Sequence, residues 1–196
     1  MARVLLVDER GPYDFEIAYS SDYVPYWYSS LIQRQTFQRN LCCTTATYTL
    51  RDDKSISVLN AGCKTNSAGE VGELKSANGV AVFDPEKPGQ LTVGFRTPPK
   101  DNNNPNYNVI KLGPKTHGEE NLYEYSVIST PSKALMWVLA RDPKTFKEKY
   151  DKEVREFLDA NGFNWFWNRP RETYQGDNCK YPPMPNEETN TPNDST

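Results

Sequence analysis

Four cysteines and one histidine carry most of the reactive chemistry open to this chain of 196 residues. Three of the cysteines flank one stretch, "LCCTTATYTLRDDKSISVLNAGCKT" from Leu41 to Thr65, and the fourth, Cys179, stands far downstream. Zinc needs several thiolate or imidazole ligands at short spacings; with no CxxC and His117 alone, the expectation is no metal and no cofactor. A thiol or hydroxyl nucleophile needs a base to activate it, and His117 lies in the polar stretch "PKTHGEEN" with no obvious nucleophile beside it. No catalytic residue is therefore assigned. Disulfides are the chemistry left to the sulfurs, which implies secretion or another oxidising compartment. "VLLV" is too short for the apolar core of a signal peptide, so the expectation is a leader removed, or replaced by "MARVLLVDERGP". Four reduced, buried thiols in a cytosolic protein are the alternative.

The charges exclude other functions. The 23 basic and 26 acidic residues give a net charge of -3 and form no basic block, so no nucleic-acid footprint is present. No apolar run approaches the roughly 18 residues that cross a bilayer as a helix.

The elements that must position the cysteines are short strands. "WYSSLI", "TTATYTL", "SISVLNAG", "EVGELKSANGVAVF", "QLTVGF", "YNVIKLG", "YEYSVIST" and "ALMWVLA" are rich in Val, Ile, Thr and aromatic residues, and Gly, Pro, Asp or Asn bounds each one. Tight turns such as "RDDKS" and "DPEKPG" and one longer loop, "RTPPKDNNNPN", make the run an antiparallel meander, which forms a sandwich or closes on itself. Before it, residues 1–22 show no clear period and read as an irregular arm. After it, Phe146, Tyr150, Val154, Phe157 and Leu158 share one face of a 3.6-residue period, predicting a single helix over about 143–161 that packs outside the sheet. Asp142 before Pro143 reads as its N-cap, and Asn161 with Gly162 as its C-terminal stop. The chain from 182 to 196 is polar and proline-rich and reads as a disordered tail, with a weak glycosylation sequon at Asn193.

Meander, helix and extended return is the element order of the lipocalins. "YVPYWYSSL", "CTTATYTLRDDKSISVLNAG", "GVAVFDPEKPGQLTVGF" and "MWVLARDP" resemble the group holding bacterial outer-membrane lipocalins and apolipoprotein D. The resemblance spans Tyr23 to Cys179. It implies an all-β fold: an eight-stranded, antiparallel, up-and-down barrel over 23–181 with one C-terminal helix outside. The family's first-strand Trp and last-strand Arg fall on Trp27 and Arg141, a structural pair in which a guanidinium covers an indole at the closed end. Two positions depart from the family pattern. Pro25 replaces the signature glycine, and "KLGP", Lys111 to Pro114, stands where Thr-Asp-Tyr is usual.

The resemblance also pairs Cys43 with Cys179, placing Cys43 on the outer face and Tyr48 inside. Cys42 and Cys63, near facing ends of one hairpin, either form a second disulfide or stay free. Strand alternation sends the neighbours Cys42 and Cys43 to opposite faces. Parity and the resemblance together give the inward, ligand-binding set as Tyr48, Val58, Asn60, Tyr107, Val109, Trp137 and Leu139, apolar walls with a few polar groups to orient a ligand. The implied function is binding and transport of a small lipophilic partner: fatty acid, lysophospholipid, retinoid, sterol or bilin. The alternatives are an isomerase or thiol-dependent enzyme on the same scaffold, and a bilin chromoprotein or lipid scavenger.

Overall fold

A computed structural model describes residues 3–8, 11–16, 26–33, 41–66, 70–119, 121–165 and 168–182. Pro25 and the chain beyond Pro182, with the proline substitution and the tail read from sequence, lie outside the described residues.

The described residues of the first stretch, read from sequence as an irregular arm, are extended. Strands β1 (Arg3–Asp8) and β2 (Gly11–Glu16) form an antiparallel hairpin. The apolar run Val4 to Val7 has strand propensity that its lack of alternation hides.

Most of the remaining described strands form one sheet. It comprises β3 (Tyr26–Gln33), β4 (Leu41–Leu50), β5 (Ile56–Lys64), β6 (Lys75–Phe83), β7 (Gln90–Gly94), β8 (Tyr107–Leu112), β11 (Tyr125–Ser129), β12 (Met136–Ala140) and β13 (Pro170–Glu172). A separate small hairpin, β9 (Lys115–His117) with β10 (Leu122–Tyr123), lies in the β8–β11 connection. Each consecutive pair from β3 to β12 in the sheet is antiparallel, and β12 pairs back onto β3, so the sheet of nine strands less β13 closes as a ring of eight. Closure gives every strand of the ring two neighbours, though β7 and β8 are laddered at only two residue pairs. Turns are local: Asp53 accepts from the Ser55 backbone N–H at 2.9 Å, and Lys54 takes φ 66°, holding the β4–β5 turn.

Alternation gives the ring two apolar faces. Inward, Ala46, Ile56, Val58, Ala81, Leu91, Ile128 and Leu139 are buried. Outward on β11 and β12, Tyr125, Val127, Met136, Val138 and Ala140 are buried as well, because helices cover them. The one predicted helix is two: α1 (Pro143–Lys149) and α2 (Asp151–Ala160), with Tyr150 between them at φ −120°, ψ −18°. The hydrogen bonds continue across the break, Tyr150 N–H to Phe146 O and the Val154 N–H to Tyr150 O, so the pair acts as one bent rod. The bend keeps the Tyr150 ring on Tyr125, 5.4 Å between centroids. Phe146, Val154 and Leu158 fill the seam, Asp142 caps Thr145, and Gly162 ends the rod at φ 87°. Lys111, where the family signature departs, fastens this rod: its Nζ lies 2.9 Å from Glu153 Oε1 and 5.2 Å from the Phe157 ring centroid.

After the helices the chain returns as a strap. β13 pairs with the Leu31–Gln33 end of β3, whose other end pairs with β4, and Tyr174 bridges to Cys42. The strap thus lies between β3 and β4 where they part. Cys43 N–H donates to Tyr174 O at 2.7 Å, Gln175 Nε2 donates to Thr44 O at 2.8 Å, and Cys43 is bonded to Cys179. Cys42 is bonded to Cys63 across β4 and β5. The adjacent cysteines do not point to opposite faces as alternation predicts. A β-bulge between Cys42 and Thr45, with Cys43 at φ 52°, brings the Cys42, Cys43 and Cys63 sulfurs within 4.8 Å of one another.

Candidate ligand cup

Each residue of the predicted inward set can be placed. Tyr48, Tyr107, Val109, Trp137 and Leu139 meet in one cluster with Ala46, Ile128 and Trp27. Val58 joins an adjoining cluster with Ile56, Ala81 and Leu91 that shares Tyr48, Tyr107 and Val109, so the two are one wall. Asn60 stands apart, further from the β4–β5 turn, paired between Ala46 and Ala77.

The aromatic side of this wall is ordered. Tyr107 stacks on Trp137 with centroids 6.3 Å apart and planes at 18°, and Tyr48 meets Tyr107 edge-on at 6.5 Å. The two phenol oxygens are 2.8 Å apart. Burial pushes the Tyr48 hydroxyl up to about 12, partly opposed by that hydrogen bond, so it stays a neutral polar group among apolar ones. Trp27 and Arg141 close one end. The guanidinium carbon lies 3.8 Å from the indole centroid, a cation on an aromatic face.

The opposite side is lined by small groups. Along β6 the residues on the inward parity are Ala77, Gly79 and Ala81, facing Asn60, Val58 and Ile56 on β5. Asn60 and Ala77 face inward yet are solvent-exposed, whereas Gly79 and Ala81 below them are buried. This end of the sheet is reached by water, on both faces of β6 from Lys75 to Asn78.

Sequence reasoning missed Ala46, Ile56, Ala81, Leu91 and Ile128 in the wall and Phe95 at its rim; alternation through "QLTVGF" puts Leu91, Val93 and Phe95 on one face and carried the signal. His117 is placed away from the cup, on β9, with Nδ1 3.4 Å from Glu124 Oε2. A groove of about 530 Å³ lies outside the barrel, between α1 and the strap, lined by Phe146, Lys147, Glu172 and Tyr174 among others. Ion pairs from Lys147 and Arg155 to Glu172, 3.1 and 3.7 Å, fasten β13 to the helices.

A closed ring of eight antiparallel strands, with external helices and an aromatic wall on its inner face, defines a small up-and-down β-barrel. Residues 21–166 match the family model of the lipocalin-like domain, and the chain belongs to the lipocalin family. It is 34% identical over 152 residues to the outer membrane lipoprotein Blc of Vibrio cholerae, covering 77% of this chain and 78% of that one. Temperature-induced lipocalin-1 of Arabidopsis thaliana is 31% identical over 148 residues, 71% and 73% covered. Among solved structures, the cockroach allergen Per a 4 superposes with a TM-score of 0.52 at 16% identity, covering 80% of this chain and 87% of that one. Japanin from Rhipicephalus appendiculatus superposes with a TM-score of 0.51 at 12% identity, 81% and 97% covered. These two share the fold.

Proposed function

We propose that this lipocalin binds and carries a small hydrophobic ligand in the barrel cup. The carrying observation is the exposure of inward-facing Asn60 and Ala77 above an aromatic wall. The wall supplies the area that binds a lipophile, and Tyr48, Tyr107 and Asn60 supply polar atoms to orient its one polar group. Japanin, of the same fold, was solved bound to cholesterol, which supports a lipophile of comparable size here.

A carrier without chemistry of its own is favoured over the thiol-dependent enzyme. All four cysteines are bonded in two disulfides, so that mechanism has no thiol to use. The disulfides and the outer-membrane lipoprotein relatives support an oxidising compartment. No described helix is long and apolar enough to cross a membrane. The bilin-binding alternative is separated by colour alone.

The test is solvent extraction of the purified, denatured protein followed by mass spectrometry, with uptake of 1-anilinonaphthalene-8-sulfonate by the stripped protein. A near-stoichiometric lipophile, or saturable dye uptake that the lipophile reverses, is expected. An empty extract from protein that also takes up no dye contradicts the proposal.

A further inference from the structure

The rim of the cup carries one large side chain on the small-residue side. Gly79 pairs with Val58; the β6–β7 ladder ends with Val80 opposite Gly94, and Phe95, the first residue past β7, lies over Gly79. The missing side chain is filled by that ring: a Cβ on Gly79 would lie 2.9 Å from Phe95 Cδ1 and 3.1 Å from Cε1. Val58 and Ala81 fix this face as the inner one. Phe95 itself is 45% exposed, unlike the buried Ala81 one step deeper. Solvent exposure along the β5–β6 track thus stops at Phe95: Asn60 and Ala77 above it are open, Gly79 and Ala81 beneath it are covered.

The backbone beneath the ring is held in place. Asn106 clamps Val93 from the returning chain, accepting its N–H at 2.9 Å and donating to its carbonyl at 3.0 Å. Asn102 accepts from Thr92 Oγ1 at 2.8 Å and donates to Gln90 O at 2.9 Å. A side chain at Gly94 would run into the Thr97 carbonyl and Pro99, so the loop folds tightly over that glycine. The stretch "DNNNPN" is a brace for the end of β7. What can move at this rim is the Phe95 side chain, about χ1 and χ2, and exposed side chains change rotamer quickly.

We infer that Phe95 is a side-chain gate: its ring rests on Gly79 across the small-residue track, and a ligand reaches the aromatic wall when the ring swings off. This rests on the carrier reading of the cup. A gate controls the rates of access and release more than the equilibrium, because the ring leaves the track for both directions of passage. The competing explanation is a sheet-stabilising aromatic–glycine cross-strand pair with no effect on ligand traffic.

Stopped-flow mixing with 1-anilinonaphthalene-8-sulfonate separates these readings on the parent, Phe95→Ala and Asn106→Ala, each also melted thermally. The gate predicts that Phe95→Ala raises the association and dissociation rates together, about tenfold, while Kd moves less than about threefold. Unchanged rates in Phe95→Ala, with or without a lowered Tm, overturn the gate and leave the sheet-stabilising role. Faster exchange in Asn106→Ala but not in Phe95→Ala also overturns it, assigning control to the loop backbone. A parent that binds no dye defeats the carrier reading, and the gate falls with it; a parent that binds while Phe95→Ala exchanges at parental rates defeats the gate alone.

Discussion

Removing the Cys43–Cys179 bond, as Cys43→Ser/Cys179→Ser, tests how far the strap belongs to the barrel's cooperative unit. The two residues are 136 apart in sequence, and the chain-entropy relation for a loop of that length gives about 5 kcal/mol. The second bridge barely changes this figure. It short-circuits 21 residues of the loop, and closure entropy depends on the logarithm of length, so the correction is about 0.1 kcal/mol. The same relation gives Cys42–Cys63 about 3 kcal/mol. The native strap has other fastenings, among them β13 on β3, Cys43 N–H on Tyr174 O and Gln175 on Thr44, so the serine variant should still fold. Urea unfolding followed by far-UV circular dichroism reads the loss: with a slope of about 2 kcal/mol per molar, the midpoint falls by about 2.5 M. Cys42→Ser/Cys63→Ser should lose less, near 1.5 M on the same slope. A Cys43/Cys179 loss below about 0.5 M, or smaller than that of the short loop, refutes the reasoning and makes the strap an appendage that frays before the barrel opens.

Other consequences follow from the helix seam and the closed end. Tyr125→Phe removes the 2.7 Å hydrogen bond to Glu153 from a ring otherwise buried, costing about 1 kcal/mol in chemical denaturation, since Glu153 keeps water and Lys111 as partners. The Glu153 carboxyl is held below the usual carboxylate range, first by Lys111 and then by Tyr125. A depressed folded pKa gives stability that is full above the unfolded value, about 4.3, and is lost as pH falls through the folded one; the gap between parent and Glu153→Gln should close on acidification below that range. Gly113→Ala puts a methyl against the Tyr125 ring, 2.6 Å from Cδ1 and 3.0 Å from the backbone nitrogen, and should cost about 1 to 3 kcal/mol by overpacking, read as a lowered urea midpoint. Arg141→Met keeps the aliphatic cover of Trp27 but removes its cation, for a loss of about 1 kcal/mol in the same assay.

Legibility followed periodicity. The β4–β5 hairpin could be read because a period of two runs unbroken from Thr45 to Leu50, and Tyr48 and Val58 pair on the inner face. The helix face was legible for the same reason: Phe146, Val154 and Leu158 repeat at helical spacing and fill one seam. What the sequence concealed were departures from a period. The bulge at Cys42 to Thr45 turns two adjacent sulfurs toward one another, and no residue type there announces a non-glycine at positive φ. The break at Tyr150 depends on where Tyr125 lies, a contact 25 residues away in the chain. Phe95 was hidden differently. The strand that leads to it alternates plainly, but its role depends on the glycine in β6 that its ring lies over, which only the tertiary structure supplies.

Carriage depends on a lipophile occupying the cup. Titrating intrinsic tryptophan fluorescence with a long-chain fatty acid, a lysophospholipid, retinoic acid, a sterol and biliverdin, for the parent and for Trp137→Ala, tests it most directly. Trp137 stacks on Tyr107 in the wall, so a ligand held there must change its emission. The predicted result is saturable quenching by one class, largely lost in the variant while its far-UV spectrum is kept. No response to any ligand, or quenching that is the same in both proteins, would contradict a lipophile in this cup.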